Sequence, residues 1–295
     1  MAYDIMCGST VDVDENILKE RGIKCVNFKY IIDGKEYDDD FFHSYDYDKF
    51  YNDIADGMEP TTSQVGVGTY EMAIEESLKN GRDIMILALT SGISGDYQTL
   101  KTVCEDLNEK YPDNKAYAID TLCASAGYGM ITLMADDNRK AGMSIEDNVK
   151  WVEDNRLNFH HWFISTDLSS FIRGGRISKT SGFFGTMLKI CPLMCVAVDG
   201  SLLPLEKIRT KAKAMEGQVG KMMEFADKGT DYDGYCFISN SHCDEDAKKL
   251  ADMVKEKFPK VKPQIYHIGT TIGSHTGPGT IALFFVGAKR TQSKD

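Results

Sequence analysis

Apolar residues in this chain fall into two rhythms that divide it into elements. "DIMILALT" (83–90) carries an unbroken apolar run from Ile84 to Leu89, the length and pattern of a strand buried on both faces. Directly after it, "SGDYQTLKTVCEDLNEKY" sets Tyr97, Leu100, Val103, Cys104 and Leu107 on one stripe at helical spacing. The same alternation recurs nearby. "YDIMCGS" predicts a first strand, "TYEMAIEESLKNG" a helix stopped by Gly81, and "KAYAIDT" a strand followed by a long helix through Ala141. Alternating strands and helices predict a parallel sheet with helices on both faces. Ahead of this region, "IKCVNFKYIIDGKEYDD" reads as two β-rich runs about Asp33-Gly34, a pair suited to a tight hairpin. The mixture of aromatics and acids from Asp38 to Met58 predicts short helices with a solvated face.

Beyond about residue 155 the rhythm changes. "HWFISTD" predicts a strand and "LSSFIRGGRISK" a helix broken by two glycines, and "LMCVAVDGSLLPLEKIRT" a hairpin about Asp199-Gly200. A helix, the strand "GYCFISN", a helix from Asp244 to Phe258, and the strands "QIYHIG" and "TIALFFVGA" follow. The fold class expected is therefore α/β. It comprises an N-terminal domain (1–155) with a mostly parallel sheet flanked by helices, and a C-terminal α+β domain (156–295) with a mixed sheet. No Pro-, Gly- or Ser-rich linker separates them, so the halves are expected to share an interface, a common place for a ligand.

Composition narrows the partners. A chain of 295 residues, 42% of them hydrophobic, can bury a substantial core, and a net charge of -11 repels nucleic acid and anionic lipid surfaces. No basic leader and no long apolar span is evident, so a cytoplasmic protein without stable membrane insertion is expected. The eight cysteines form no paired metal or disulfide framework and are expected to be reduced; no metal or cofactor is expected.

Two turns stand out for their chemistry. "TTSQVGVGTYEMAI" (61–74) and "ALTSGISGDYQTL" (88–100) are rich in hydroxyls and glycine, lead into helices, and contain no lysine or arginine. In a parallel sheet such turns border the ligand crevice at the carboxyl ends of the strands. With the second helix starting near Ser94, its unpaired N–H groups and dipole can hold a small anion without a cationic side chain. Thr62 and Ser63 can add hydroxyl donors if both turns open into one crevice. A lone carboxylate suits so few donors better than a polyphosphate does, and no Walker-type or complete dinucleotide glycine motif is present. An ordinary helix cap at Ser94 explains that serine equally well.

These residues resemble the DegV family of fatty-acid-binding proteins, which includes the lipid-carrying subunit of bacterial fatty acid kinase. The resemblance spans essentially the whole chain. It rests on "TTSQ" (61–64), "SGISGDYQ" (91–98), "IDT" (119–121), "FIRGGRISK" (171–179), "LKICPLM" (188–194), "DGSLLPLEKIRTKAKA" (199–214) and "GPGT" (277–280), taken in order. It implies a two-domain α/β fold with an apolar tunnel, a long-chain fatty acid as the bound ligand, and a separate ATP-binding kinase subunit that phosphorylates the acid to an acyl phosphate. The carried-over head-group residues are Thr62 and Ser94, with backbone donors around Gly95 and His275 in the same polar network; Ser63 joins the candidates through the chemistry of its turn. Candidate tunnel residues are Phe171, Ile172, Phe183, Phe184 and Met187, together with Leu188, Ile190, Met194, Phe284 and Phe285. The chain departs from the family pattern at Gly8, Val65 and Asp96. Asp96, a carboxylate beside a bound carboxylate, is expected to face solvent in the first helical turn, where the helix dipole favours it.

A cluster of positive charge runs from Arg173 to Lys213 in this acidic chain. Arg173, Arg176 and Arg209 are the candidates for docking the kinase subunit, since a guanidinium matches phosphate oxygens; a solvated basic face is the plainer reading. Two other functions remain open. Ser94 and His275 could act as nucleophile and base of an acyl hydrolase or transferase, although "GISGD" lacks the last glycine of the hydrolase elbow. A regulatory or scaffold module with a purely structural lipid is the third.

Overall fold

The computed structural model describes residues 3–178 and 190–293. In chain order the first half forms β1 (Asp4–Gly8), α1 (Glu15–Arg21), β2 (Ile23–Val26), β3 (Lys29–Ile32), β4 (Lys35–Asp38), α2 (Tyr47–Ala55), β5 (Thr61–Ser63), α3 (Val67–Lys79), β6 (Ile84–Ala88), α4 (Asp96–Lys110), β7 (Ala116–Asp120), α5 (Ser125–Lys140) and α6 (Ile145–Asn155). The second half adds β8 (Phe159–Ile164), α7 (Ser169–Arg173), β9 (Cys191–Val196), β10 (Leu202–Ile208), α8 (Lys211–Phe225), β11 (Cys236–Asn240), α9 (Asp244–Lys257), β12 (Gln264–His267), α10 (Thr270–Thr276) and β13 (Ile281–Val286).

The parallel sheet read from the alternation is present in the order β2-β1-β6-β7. Every residue of β6 is buried, as a strand covered on both faces must be. The second half builds a mixed sheet, β10-β9-β8-β13-β11-β12, in which only β11 and β12 run parallel. Both anticipated hairpins form. Asp33 and Gly34 have positive φ (50° and 79°) between β3 and β4, and Gly200 (φ 78°) turns β9 into β10.

The Asp38–Met58 region differs from expectation. Instead of a simply solvated face it packs an aromatic cluster, Tyr30, Phe50 and Tyr51 with Tyr37, Phe42, Tyr45 and Tyr47, over the small sheet β4-β3-β5. Edge-to-face contacts such as Tyr30–Phe50 fix the rings, and most charged side chains are left outside, Asp39 being the buried exception.

The two halves meet through α5 and one face of the mixed sheet. Strand alternation sends Trp162, Ile164, Leu283 and Phe285 to a core under α8 and α9, while Phe163, Ala282 and Phe284 join the core of the first half. α5 packs on β8, β11 and β13. A side chain at Gly127 would overlap His161 and Phe284, so the bare backbone is what allows this approach.

A second join lies beside the carboxyl ends of the parallel strands. The Thr90 hydroxyl donates to the Gly200 carbonyl (3.0 Å), and a Cβ on Gly92 would overlap the Gly200 backbone. Backbone against backbone cannot yield as a side-chain tip can. Gly92→Ala should therefore destabilise the protein by about 3 kcal/mol. Gly68→Ala, with nothing within 4 Å of the new methyl group and a helical position, should be neutral or stabilising by about 0.5–1 kcal/mol. Urea unfolding of the two variants checks the pair; equal effects would show that the interlock carries no strain.

Candidate functional site

The carboxyl ends of β6 and β7 open into a cavity of about 250 Å³, close to the lower end of the roughly 300–1,000 Å³ usual for small-molecule sites. Its wall is mainly apolar and comes from both halves: Phe28, Leu89 and Ile93 from the first, Phe163, Phe171 and Phe284 from the second. All five head-group candidates, Thr62, Ser63, Ser94, Gly95 and His275, border it.

Each polar residue is held by a specific local structure. Thr62 and Ser63 belong to a short strand rather than a loop, β5, which pairs with β3 so that Tyr30 faces Thr62 and Lys29 faces Ser63. The Thr62 hydroxyl lies 2.8 Å from His275 Nε2. His275 Nδ1 is buried without a hydrogen-bond partner. Burial, with Arg176 and Arg173 nearby, pushes the His275 pKa down to about 3, so the ring is neutral above mild acidity. The tautomer with the proton on Nε2 donates to Thr62 and leaves the Thr62 proton for a ligand.

His275 owes its place to α10, whose start is gripped by two buried carboxyls. Asp12 accepts from the Gly269 N–H (2.8 Å) and the Ser125 hydroxyl (2.5 Å). Asp39 accepts from the N–H (3.2 Å) and hydroxyl (2.8 Å) of Thr270 and from the Ser9 hydroxyl (3.0 Å). Burial raises the pKa of both, that of Asp12 well above the usual range. Ser125, which also lines the cavity, adopts the left-handed region (φ 53°), a cost met by its hydroxyl bonds to Asp12 and Ser239.

The second turn departs by a residue from the sequence expectation. α4 begins at Asp96 with Gly95 as its cap, and the Ser94 hydroxyl accepts from the Asp96 N–H (3.2 Å). Ser91, the first serine of the motif, is occupied by Asp120, through its N–H (3.1 Å) and hydroxyl (2.5 Å). The "IDT" motif thus braces the turn, leaving Ser94 to face the cavity.

Asp96 corrects the sequence reading outright. Expected in solvent, its side chain is buried, with the residue 1% exposed. The Tyr70 hydroxyl donates to Oδ2 (2.8 Å), and Oδ1 has no hydrogen-bond partner. Burial pushes its pKa up to about 6 against the opposing pull of Tyr70 and the Val65 N–H.

Arg176 is the other surprise. No cation lies within either turn, yet Arg176 lines the cavity from the segment after α7, donating through Nε to the Ile93 carbonyl (3.2 Å) and through Nη1 to the Gly174 carbonyl (2.6 Å). Burial lowers its pKa. Arg173 pairs loosely with Glu59 (3.4 Å), Arg209 is exposed, and Lys211 is paired with Asp246 (2.8 Å), so part of the basic cluster is neutralised locally.

Among the tunnel candidates, Phe171 and Phe284 line the cavity. Ile172 faces an adjoining groove with Gly92 and Arg176, Met194 is packed in the core of the first half, and Ile190 is half-buried. Phe285 lies on the opposite face of its strand, stacked on His160. Phe183, Phe184, Met187 and Leu188 lie outside the described residues. Sequence reasoning missed Leu89 and Ala124, which the rule of ligands at strand carboxyl ends could have found. It also missed His161. That ring accepts from the Ala124 N–H through Nε2 (3.2 Å), so Nδ1 carries the proton donated to the Phe159 carbonyl (2.9 Å), and burial lowers its pKa well below the usual value. Among the described residues no group of three or more His, Cys, Asp or Glu is placed to hold a metal, and no helix is long and apolar enough to cross a membrane.

Asp96 yields a pH test with a definite sign. A carboxyl whose pKa is raised on folding gives stability that is complete below about pH 3.8 and lost as pH rises through about 6. Asp96→Asn should thus stabilise the protein at pH 8 by up to about 3 kcal/mol, the gain vanishing near pH 4. Urea unfolding across this range measures it; a difference independent of pH would place the carboxyl in water.

Comparison with known proteins gives a consistent pattern. The family model described as an uncharacterised protein of the DegV family matches residues 2–288. A DegV domain-containing protein of Clostridium perfringens is 35% identical over 288 residues, covering 97% of each chain. Among solved structures, a DegV family protein from Thermus thermophilus described as binding fatty acid superposes with a TM-score of 0.87 at 22% identity, covering 98% of this chain and 100% of that one. A stearic acid-binding protein from Eubacterium ventriosum gives 0.86 at 19% identity, covering 97% and 98%.

Proposed function

The chain belongs to the DegV family, and we propose that it binds a long-chain fatty acid, tail in the apolar cavity and carboxylate at Thr62, Ser94 and His275. One observation carries this reading. A cavity walled by apolar groups from both halves has its hydroxyl donors gathered at one place, on β5 and ahead of α4. Each buried methylene contributes about 0.8 kcal/mol, so the tail supplies most of the affinity. The head group must only avoid burial without partners, and two hydroxyls with Arg176 nearby meet that need. Ser63 and the backbone at Gly95 complete the rim. The ligand then lies at and beside the boundary between the domains, which we place between residues 155 and 156.

Mass spectrometry of a solvent extract of the purified protein should show a fatty acid. After delipidation, Thr62→Ala and Ser94→Ala should each weaken binding by about 1.5–3 kcal/mol, roughly 10–100-fold. An extract free of acyl lipid together with no measurable fatty-acid binding would overturn the reading.

The carrier role goes one step further. The protein would be a non-catalytic, cytoplasmic subunit that presents the acid to a separate ATP-binding kinase subunit, which forms the acyl phosphate. Arg173 and the exposed Arg209 are the docking candidates, with Arg176 closer to the head group. Arg173→Ala combined with Arg209→Ala should lower acyl-phosphate formation about tenfold or more. An unchanged rate refutes that docking role.

A further inference from the structure

Asp96 has no role in the reading above, yet it is where the two hydroxyl-bearing segments meet. Thr62 and Ser63 lead through Val65 into α3, which carries Tyr70; Ser94 leads directly into α4. The Tyr70 hydroxyl crosses from α3 to the Asp96 carboxyl (2.8 Å), and both side chains are buried. The Val65 N–H lies near the same carboxyl and favours its ionised form. Outside this contact the two segments are also bridged at the surface by Gln64, donating to the Thr99 hydroxyl (2.5 Å).

The backbone of Asp96 acts on Ser94 as well. Its N–H donates to the Ser94 oxygen (3.2 Å), which fixes the side from which that hydroxyl accepts and leaves its proton free to be donated into the cavity. Core packing does not account for a carboxyl here. One of its oxygens is buried without a partner, a cost that an apolar residue of similar size would not carry.

We propose that Asp96 is a positioning residue for the head-group site. Its buried carboxyl, clamped by Tyr70, holds the start of α4 against α3, so that Ser94 and Thr62 present their hydroxyls to one carboxylate. The inference rests on the fatty-acid reading and concerns selection of the acid head group, while the tail contacts are untouched.

The test uses the delipidated full-length protein titrated with palmitic acid and with hexadecanol, which has the same tail and no carboxylate. A defect in folding alone lowers affinity for both ligands, whereas a misplaced head-group site lowers only the first. Tyr70→Phe and Asp96→Ala should reduce the preference for palmitic acid over hexadecanol by about fivefold or more. Asp96→Asn should stay within about twofold of the unaltered protein, because the amide oxygen still accepts from Tyr70. Tyr70→Phe removes a single oxygen and keeps the ring, so it decides the matter even if Asp96→Ala does not fold. A preference unchanged in Tyr70→Phe, or an Asp96→Asn defect as large as that of Asp96→Ala, overturns the clamp while leaving fatty-acid binding intact. Failure of the unaltered protein to bind either ligand overturns the fatty-acid reading and the clamp with it.

Discussion

The grip of Asp12 and Asp39 on the start of α10 is the contact on which the arrangement of the site depends most. α10 carries Thr271, Ile272, His275 and Thr276 into the cavity wall, yet it is a short helix that could not hold its own position. Asp12 follows β1, Asp39 follows β4, Gly269 caps α10 and Thr270 opens it. Two carboxyls therefore tie elements far apart in sequence to one point. Ser125, also on the cavity wall, is drawn into the same knot through Asp12. The distance between Thr62 and His275 follows from this knot and from the pairing of β5 with β3.

A framework of several buried acids around one cavity brings like charges close together, and charges a few ångströms apart interact strongly where the dielectric is low. Burial eases that repulsion by shifting the protonation equilibrium. Asp12, Asp39 and Asp96 all have raised pKa values, so each takes up protons more readily than a free carboxyl does. Hydroxyl and N–H donors satisfy most of their oxygens, and those bonds position backbone more rigidly than apolar packing can. Arg176 supplies a positive potential close to the cavity and is held by two backbone carbonyls rather than by an acid that would cancel it. The acidic chain thus keeps most of its negative charge outside, with a few buried carboxyls held by donors.

Local pattern was enough to read much of this. The parallel sheet was legible because a doubly covered strand such as β6 must be apolar throughout, and the hairpins because Asp33-Gly34 and Asp199-Gly200 suit positive φ. Thr62, Ser94 and His275 were legible through the motifs around them, and the structure brings them to one cavity. What escaped was set by distant contacts. β5 is a strand only because β3 lies beside it, and Asp96 is buried only because Tyr70 arrives from another helix. Helix-end electrostatics favours an exposed acid at that position, and tertiary packing overrode it. Arg176 was read only as a docking residue, and its place on the cavity wall escaped for the same reason, since the segment after α7 folds back onto the turn at Ile93. On β13 the sequence could not tell Phe284 from Phe285, because either face of that strand is buried.

The polar geometry also weighs against nucleophilic chemistry at Ser94. A general base must take the nucleophile's proton and hold it near neutral pH. His275 is engaged with Thr62 rather than Ser94, and burial beside two arginines makes it a weak base, with a pKa pushed down to about 3. Its Nδ1 has no carboxylate to stabilise an imidazolium, the role the third member of a catalytic triad performs. The Ser94 oxygen accepts from the N–H that opens α4, a bond that stabilises its lone pair rather than sharpening it for attack. The features that would weaken a catalytic dyad are ones that suit holding an anion: a neutral imidazole, hydroxyls bordering the cavity, and a guanidinium close by. The bonding of Ser94 and His275 thus argues against a nucleophile and its base, and it suits the carboxylate cradle proposed above.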